Sequence, residues 1–260
     1  MARPWICILG ASSGFGAATA RAFARQGYGI FGVHLDRRST MPAVEALVAE
    51  LEAADVPVVF HNANAAGEEE REAGLERLRL AMGEGDDVRV LLHSLAFGTL
   101  KPLFVDDGKP LSKRQIEMTL DVMANTLVYW SQDLVTRGML REGGRIFAMT
   151  SSGSIAAWPA YGAVSAAKCS LEAYIRQLAI ELAPRRITAN AIMAGVTMTA
   201  ALEKIPGNDE IARRALERNP SGRLTTPEDV AQCLVSLAQP GTSWMTGNVI
   251  RVDGGESVAG

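Results

Sequence analysis

Trp5-Ile-Cys-Ile-Leu-Gly10-Ala-Ser-Ser-Gly14-Phe-Gly16 decides how this chain is read. Five apolar residues run into a glycine, a short polar turn follows, and Ala17 to Gln26 continues in a helical pattern. A buried strand, a glycine-rich turn and a helix make the first unit of an α/β alternation. Glycines at such a turn let the backbone approach a pyrophosphate, and the helix N-terminus offers N–H donors and partial positive charge. No Gly-Lys-Ser/Thr follows, which excludes an ATPase P-loop. Gly10, Ser12, Ser13, Gly14, Phe15 and Gly16 are the candidate dinucleotide contacts.

Outward from this turn the alternation continues. Strand-like runs are expected at 29–35, 56–60, 88–93, 145–150, 187–192 and 248–252. Amphipathic helical stretches are expected at 14–26, 41–54, 67–82, 113–137, 160–183 and 227–239. Thr226-Pro-Glu-Asp229 opens the last with an N-cap threonine, a first-turn proline and early acids. Apolar strands of this kind need cover on both faces. The expectation is an α/β fold, a doubly wound parallel Rossmann-type sheet of about seven strands with helices on both faces. One domain over 1–260 is the simplest organisation. Residues 98–112 and 194–225 are poorly periodic, and long loops at strand ends are where such folds place substrates. The acidic run Glu68–Glu72 reads as a solvated helix start.

Composition narrows the function classes. The 260 residues are 48% hydrophobic and 21% charged, as in an ordinary globular protein, with a net charge of −3 and no basic footprint for nucleic acid. No apolar run reaches the ~18–20 residues of a membrane span, and Met-Ala-Arg-Pro-Trp5 leads straight into a strand, so no signal peptide is expected. Cys7, Cys169 and Cys233 stand far apart in apolar stretches and read as buried thiols in a reducing cytoplasm. His34, His61 and His93 form no cluster with cysteine, so no metal site is expected.

The end of the second strand bears on the choice of dinucleotide. It reads His34-Leu-Asp36-Arg37-Arg38. A carboxylate there bonds the adenosine ribose 2′-hydroxyl and repels a 2′-phosphate, whereas arginines do the opposite. The two adjacent arginines favour NADPH, with NADH the alternative.

The chain resembles the short-chain dehydrogenase/reductase superfamily over essentially its whole length, through the Gly10–Gly16 turn and Val252-Asp-Gly-Gly255. Most of its members carry Tyr-x3-Lys, with a serine thirteen residues before the tyrosine. Here Val164 stands four residues before Lys168, and the nearest phenol is Tyr161, with six residues between. That spacing resembles the enoyl-acyl-carrier-protein reductases. His93-Ser-Leu-Ala-Phe97, the stretch Lys168–Arg176, and Met123 at the usual position of a catalytic asparagine, with Asn125 two residues on, resemble the same branch. Two departures are Ser151, where many enoyl reductases have a second tyrosine, and Ala194-Gly195 in place of the common Pro-Gly.

The resemblance implies an NAD(P)H-dependent enoyl-thioester reductase of fatty-acid or related synthesis. Its substrate would be a trans-2-enoyl thioester, possibly on an acyl carrier protein. Tyr161, Lys168 and Ser151 are the implied catalytic residues, and Lys168 also holds the nicotinamide ribose. Asp36, Arg37 and Arg38 would meet the adenosine ribose. Ser94, Leu95 and Ala96 would line the nicotinamide pocket by backbone contacts, Ile192 would add backbone contacts to the carboxamide, Thr197 would bond the carboxamide or phosphate, and His93 reads as structural. Phe97, Gly98 and Tyr161 would face the substrate, under a lid at 196–218 that includes Met198–Pro206. Lys204, Arg213, Arg214 and Arg218 would meet an acidic carrier or form a solvated helix face. The family is commonly tetrameric, which implies a homotetramer through 113–137 and 160–183.

Physically, Tyr161 and Lys168 are expected on one helix at i and i+7, sharing a face, with the ammonium lowering the phenol pKa. A phenol aimed at a thioester oxygen stabilises a developing enolate. The alternatives are a ketone or alcohol oxidoreductase of the same superfamily and a non-catalytic nucleotide-binding protein.

Overall fold

The computed structural model describes residues 2–259. Seven strands form one parallel sheet: β1 (Pro4–Leu9), β2 (Gly29–His34), β3 (Val58–Asn62), β4 (Asp87–His93), β5 (Arg145–Thr150), β6 (Thr188–Ala194) and β7 (Val249–Val252). Their spatial order is β3-β2-β1-β4-β5-β6-β7. The chain winds outward from β1 in one direction and from β4 in the other. The carboxyl ends of β1 and β4 therefore border the switch point where α/β sheets open a crevice.

Alternation along each strand builds two apolar layers. Ile6 and Ile8 of β1 pack with Phe23 of α1 (Gly14–Ala24), Leu47 of α2 (Met41–Glu52) and, from the last helix, Val230 and Leu234. Trp5, Cys7 and Leu9 point the other way, into a cluster with Leu75 and Leu78 of α3 (Glu68–Ala81). The same cluster takes Leu127 and Trp130 from the helix before β5, and Ala167 and Leu171 from the helix after it. All five of these β1 side chains are fully buried, which is why the run had to be apolar throughout.

Several boundaries differ from the sequence expectation. The third strand covers 58–62 rather than 56–60, because His61 and Asn62 pair with Val33 and His34. The helix expected over 113–137 is two α-helices, α4 (Lys113–Leu120) and α5 (Thr126–Thr136), joined by a π-helical turn over Asp121–Asn125. There the Thr126 N–H donates to the Asp121 carbonyl, five residues back. Such bulges recur at functional sites. The next helix, α6 (Gly162–Glu181), starts two residues later than expected.

The poorly periodic region 194–225 holds an unforeseen helix, α7 (Asn208–Arg218), entered through Gly207 at φ +79°. Its only buried side chain is Ala215. Ion pairs of Arg213 with Glu210 and Glu217, and of Arg214 with Glu210, lace its turns instead. The last helix, α8 (Pro227–Leu237), starts at a capping box in which Thr226 and Asp229 bond each other's backbone N–H. Cys169 is exposed, correcting the expectation of three buried thiols. Among the described residues, no helix is long and apolar enough to cross a membrane.

Candidate active site

The glycine turn sits at the switch point, held by close backbone approach. Gly10 has φ +91°, and a Cβ built on it would lie 2.5 Å from the Ser94 carbonyl oxygen beyond β4. A Cβ on Gly16 would lie 1.9 Å from the Gly10 oxygen. The start of α1 is thus seated directly on the turn. Ser13, the exposed N-cap of α1, is extended, and its hydroxyl caps no N–H. The first turn has no carboxylate, so its donors are left for an anion. Ser12 and Phe15 are partly buried at the same turn.

Asp36 stands at the end of the cleft beyond β2. The Asn62 side chain bonds both its backbone N–H and its carbonyl, each at 3.0 Å. The Asp36 Oδ2 lies 2.9 Å from His34 Nδ1. Burial pushes its carboxyl up, but hydrogen bonds from Ser12, Thr40 and His34 outweigh this and hold it below the usual carboxylate value. Arg37 and Arg38 are exposed and, among the described residues, form no ion pair.

Lys168, Tyr161 and Ser151 all stand near the carboxyl end of β5. Lys168 is 5% exposed, and its ammonium donates to the Met149 carbonyl at 2.6 Å. Burial pushes its pKa down to about 8, against the opposing charge of Glu172. Tyr161 is the N-cap of α6, with φ −96° and ψ 2°, and does not lie within the helix as expected. Its ring covers Gly153, where an added Cβ would meet Cε1 at 2.4 Å. Burial raises the phenol pKa, with the Ser151 hydroxyl opposing. This corrects the expectation that Lys168 lowers it, because the ammonium is turned into the β5 carbonyl. The Ser151 Oγ is buried and makes no complete hydrogen bond among the described residues.

The positions that serve carbonyl chemistry elsewhere in the superfamily are apolar here. Val164 and Met123 are 5% and 2% exposed and share one core cluster. Both touch the backbone at Gly98, where an added Cβ would lie 2.8 Å from the Met123 sulfur and from Val164 Cγ2. Gly98 therefore wedges against the two substituted positions, while Phe97 is 58% exposed at the cleft rim.

Ser94 follows β4, its N–H donating to the Leu9 carbonyl at 2.8 Å. Leu95 packs against the core beside Gly10, and Ala96 is exposed. Thr197 is buried beyond β6, its hydroxyl on the Gly195 carbonyl at 3.0 Å. Ile192 is expected to offer backbone contacts to the carboxamide. It lies inside β6, paired with Met149 on one side and Ile250 on the other, and its side chain is fully buried. Of the four basic residues considered for carrier docking, Arg213 and Arg214 are engaged by glutamates, and Arg218 donates to the Ala259 carbonyl at 3.2 Å.

Two groups near the site, Thr199 and Glu256, escape sequence reading, and a third, His93, reads there as structural. Thr199 reaches the glycine turn, 3.6 Å from a Cβ built on Gly14. Glu256, from the C-terminal turn, accepts from the Val196 N–H at 2.9 Å. His93 is fully buried, with neither ring nitrogen hydrogen-bonded among the described residues. Burial and the Lys168 charge push its pKa down to about 3, against nearby backbone carbonyls that include Val122 of the π turn. No local pattern marks the first two, since each joins segments distant in sequence.

A family model described as Enoyl-(Acyl carrier protein) reductase matches residues 10–257. An enoyl-(acyl-carrier-protein) reductase (NADH) from Nostoc sp. is 30% identical over 216 residues, covering 83% of this chain and 81% of that one. A 3-oxoacyl-(acyl-carrier-protein) reductase from Thermotoga maritima is 28% identical over 251 residues and 96% of each chain. The crystal structure of an enoyl-(acyl-carrier-protein) reductase (NADH) from Aquifex aeolicus superposes with a TM-score of 0.82 at 22% identity, over 99% of this chain and 97% of that one. Relatives of both reaction types thus share the fold, the glycine turn lies within the matched span, and the chain belongs to the short-chain dehydrogenase/reductase superfamily, in the family whose model is described as Enoyl-(Acyl carrier protein) reductase.

Proposed function

We propose that this protein is an NADH-dependent enoyl-thioester reductase acting on trans-2-enoyl chains. The observation that carries the reading is the Gly98 contact with Val164 and Met123. The two positions that act on a carbonyl in ketone reductases are here an apolar wall, and the phenol stands at Tyr161, beside Ser151.

The site residues fit a dinucleotide. The cradle at Gly10, Gly14 and Gly16, with Ser12, Ser13 and Phe15, takes the pyrophosphate, and a side chain at Gly10 or Gly16 would collide with the Ser94 or Gly10 carbonyl and displace the turn. Ser94, Leu95 and Ala96 line the nicotinamide end, with Thr197 opposite. Lys168 spends one N–H on Met149 and keeps two for the ribose hydroxyls. When bound, the dinucleotide supplies a hydride to the β-carbon. Tyr161, kept protonated by burial, donates to the thioester oxygen as enolate charge develops there. Such a donor is worth about 3 kcal/mol. Ser151 stands beside the phenol, and solvent protonates the α-carbon.

The Asp36 environment shifts the choice from NADPH toward NADH. Its carboxylate is pinned beside the turn by His34 and Ser12, where a 2′-phosphate would meet it, whereas Arg37 and Arg38 extend into solvent. Asp36→Ala is expected to narrow an NADH preference about tenfold, a 1.4 kcal/mol effect, in the ratio of kcat/KM values.

The acyl chain leaves past Phe97 and Gly98, under the 196–218 lid. The lid is tied to the segment after β5 where the Trp158 indole donates to the Pro206 carbonyl at 3.3 Å. Coenzyme A and acyl-carrier thioesters both fit this reading. Assembly as a homotetramer through α4–α5 and α6 in a reducing cytoplasm completes it, and light scattering tests the assembly.

Ser151 beside Tyr161 favours a second reading, a ketone oxidoreductase, because a serine there would bond a carbonyl. NADH and NADPH oxidation followed at 340 nm with crotonyl and longer enoyl thioesters, and separately with ketones, decides between them. Turnover of enoyl thioesters that collapses in Tyr161→Phe supports the first. Turnover of ketones alone establishes the second.

A further inference from the structure

The loop that leaves β6 carries Thr197, yet it has little structure of its own. Gly195 N–H donates to the Val252 carbonyl at 3.1 Å, and Thr197 bonds back to Gly195. The other anchor comes from the far end of the chain. Gly254 and Gly255, at φ +62° and +92°, turn the chain back after β7. Asp253 staples that turn, accepting from the N–H groups of Gly255 at 3.0 Å and Ser257 at 3.1 Å. The Asp253 carbonyl accepts from the Asn219 amide at 2.9 Å and from the Glu256 N–H at 3.1 Å. This turn delivers the Glu256 carboxylate to the Val196 N–H at 2.9 Å.

The fit is close on every side. A Cβ on Gly195 would lie 2.4 Å from the Thr225 hydroxyl and 2.9 Å from Glu256 Oε2. The interaction also needs an N–H at position 196, which valine supplies and proline would not. We propose that Glu256 is a positioning residue: its carboxylate holds the Val196 N–H and so sets the loop that presents Thr197 and Thr199 to the dinucleotide cleft. The inference rests on the dinucleotide reading of that cleft but not on which substrate is reduced. Burial holds the Glu256 carboxyl above its usual value, with the Val196 N–H opposing and Asp253 adding to the rise. The carboxylate is therefore placed where a second acid and a desolvated pocket disfavour it, and the Val196 N–H offsets part of that cost.

The test measures NADH affinity by calorimetry with no substrate present, so it stands apart from the enoyl assay. Glu256→Ala and Val196→Pro each remove one side of the contact and are each expected to weaken NADH binding about tenfold. The double variant is expected to be no weaker than either single one, because both break one interaction. Glu256→Gln keeps an acceptor and is expected to restore most of the affinity. Unchanged affinity in both single variants, full additivity in the double variant, or loss only in proportion to a falling melting temperature would overturn the proposal. Wild-type protein that binds no NADH would overturn the cofactor reading and this positioning role together.

Discussion

The two halves of the cleft are built on different physics. The turn over Gly10–Gly16 is held by backbone packed on backbone, with no room for a single added methyl at Gly10 or Gly16. The segments that follow β4, β5 and β6, which form the opposite rim in the proposed reading, present large apolar side chains to solvent: Phe97 and Met198 are 58% and 53% exposed, Ile155 71% and Phe104 91%. Steric closure of the first half leaves one geometry, so what binds there is set by shape. The rim has apolar area without fixed partners, which under the proposed function would select a chain by burial rather than by shape. In this reading the reaction belongs to the rigid half and the substrate to the rim.

Gly16→Val attacks the rigid half most directly. The new side chain would start 1.9 Å from the Gly10 oxygen. We expect NADH binding to vanish from calorimetry and the melting temperature to fall, because overpacking costs about 1–3 kcal/mol or more. Binding that survived would mean the turn yields, and the contrast with the rim would fail.

Next in size is Tyr161→Phe, expected to lower kcat with an enoyl thioester about 100-fold or more while NADH affinity holds. A large loss of NADH affinity instead would place the phenol in the dinucleotide half.

Acid should loosen the rigid half through His93. Its folded pKa of about 3 lies below the ordinary 6.5, so the unfolded chain binds a proton that the folded one refuses between those values. Stability is then fully present above pH 6.5 and falls as pH drops toward 3, by about 1.4 kcal/mol per pH unit from this group. His93→Phe should flatten that part of a Tm-against-pH curve. An unaltered slope would show that the imidazole titrates normally.

The smallest effect is expected at the rim. Phe97→Ala should raise KM for a long enoyl thioester several-fold, with about 1–2 kcal/mol of apolar burial lost, and leave crotonyl turnover nearly unchanged. Equal losses for short and long chains would move Phe97 from the acyl path to the reacting end.

The residues that could be read from sequence are those whose surroundings are local. The run from Trp5 to Gly16 carries its own strand, turn and helix. Thr226 and Asp229 carry their own cap. The helix α7 was not legible because its apolar stripe is short, Ile211, Ala212 and Ala215, and is set among charged residues in an otherwise irregular region. The π turn was hidden because Asp121–Asn125 keeps helical composition while its hydrogen bonding shifts by one residue.

Sequence alone determined the α/β class, the parallel sheet, the glycine turn and the separation of Tyr161 from Lys168, since strand periodicity, glycine conformation and helical spacing act over a few residues. Only the tertiary structure decided which way the Lys168 ammonium turns, that burial raises the Tyr161 phenol pKa, that Gly98 closes against Val164 and Met123, and that Glu256 reaches Val196. Each of these depends on groups from distant segments sharing a desolvated space. Charge and hydrogen bonding there follow from what lies within a few ångströms, whatever the distance along the chain.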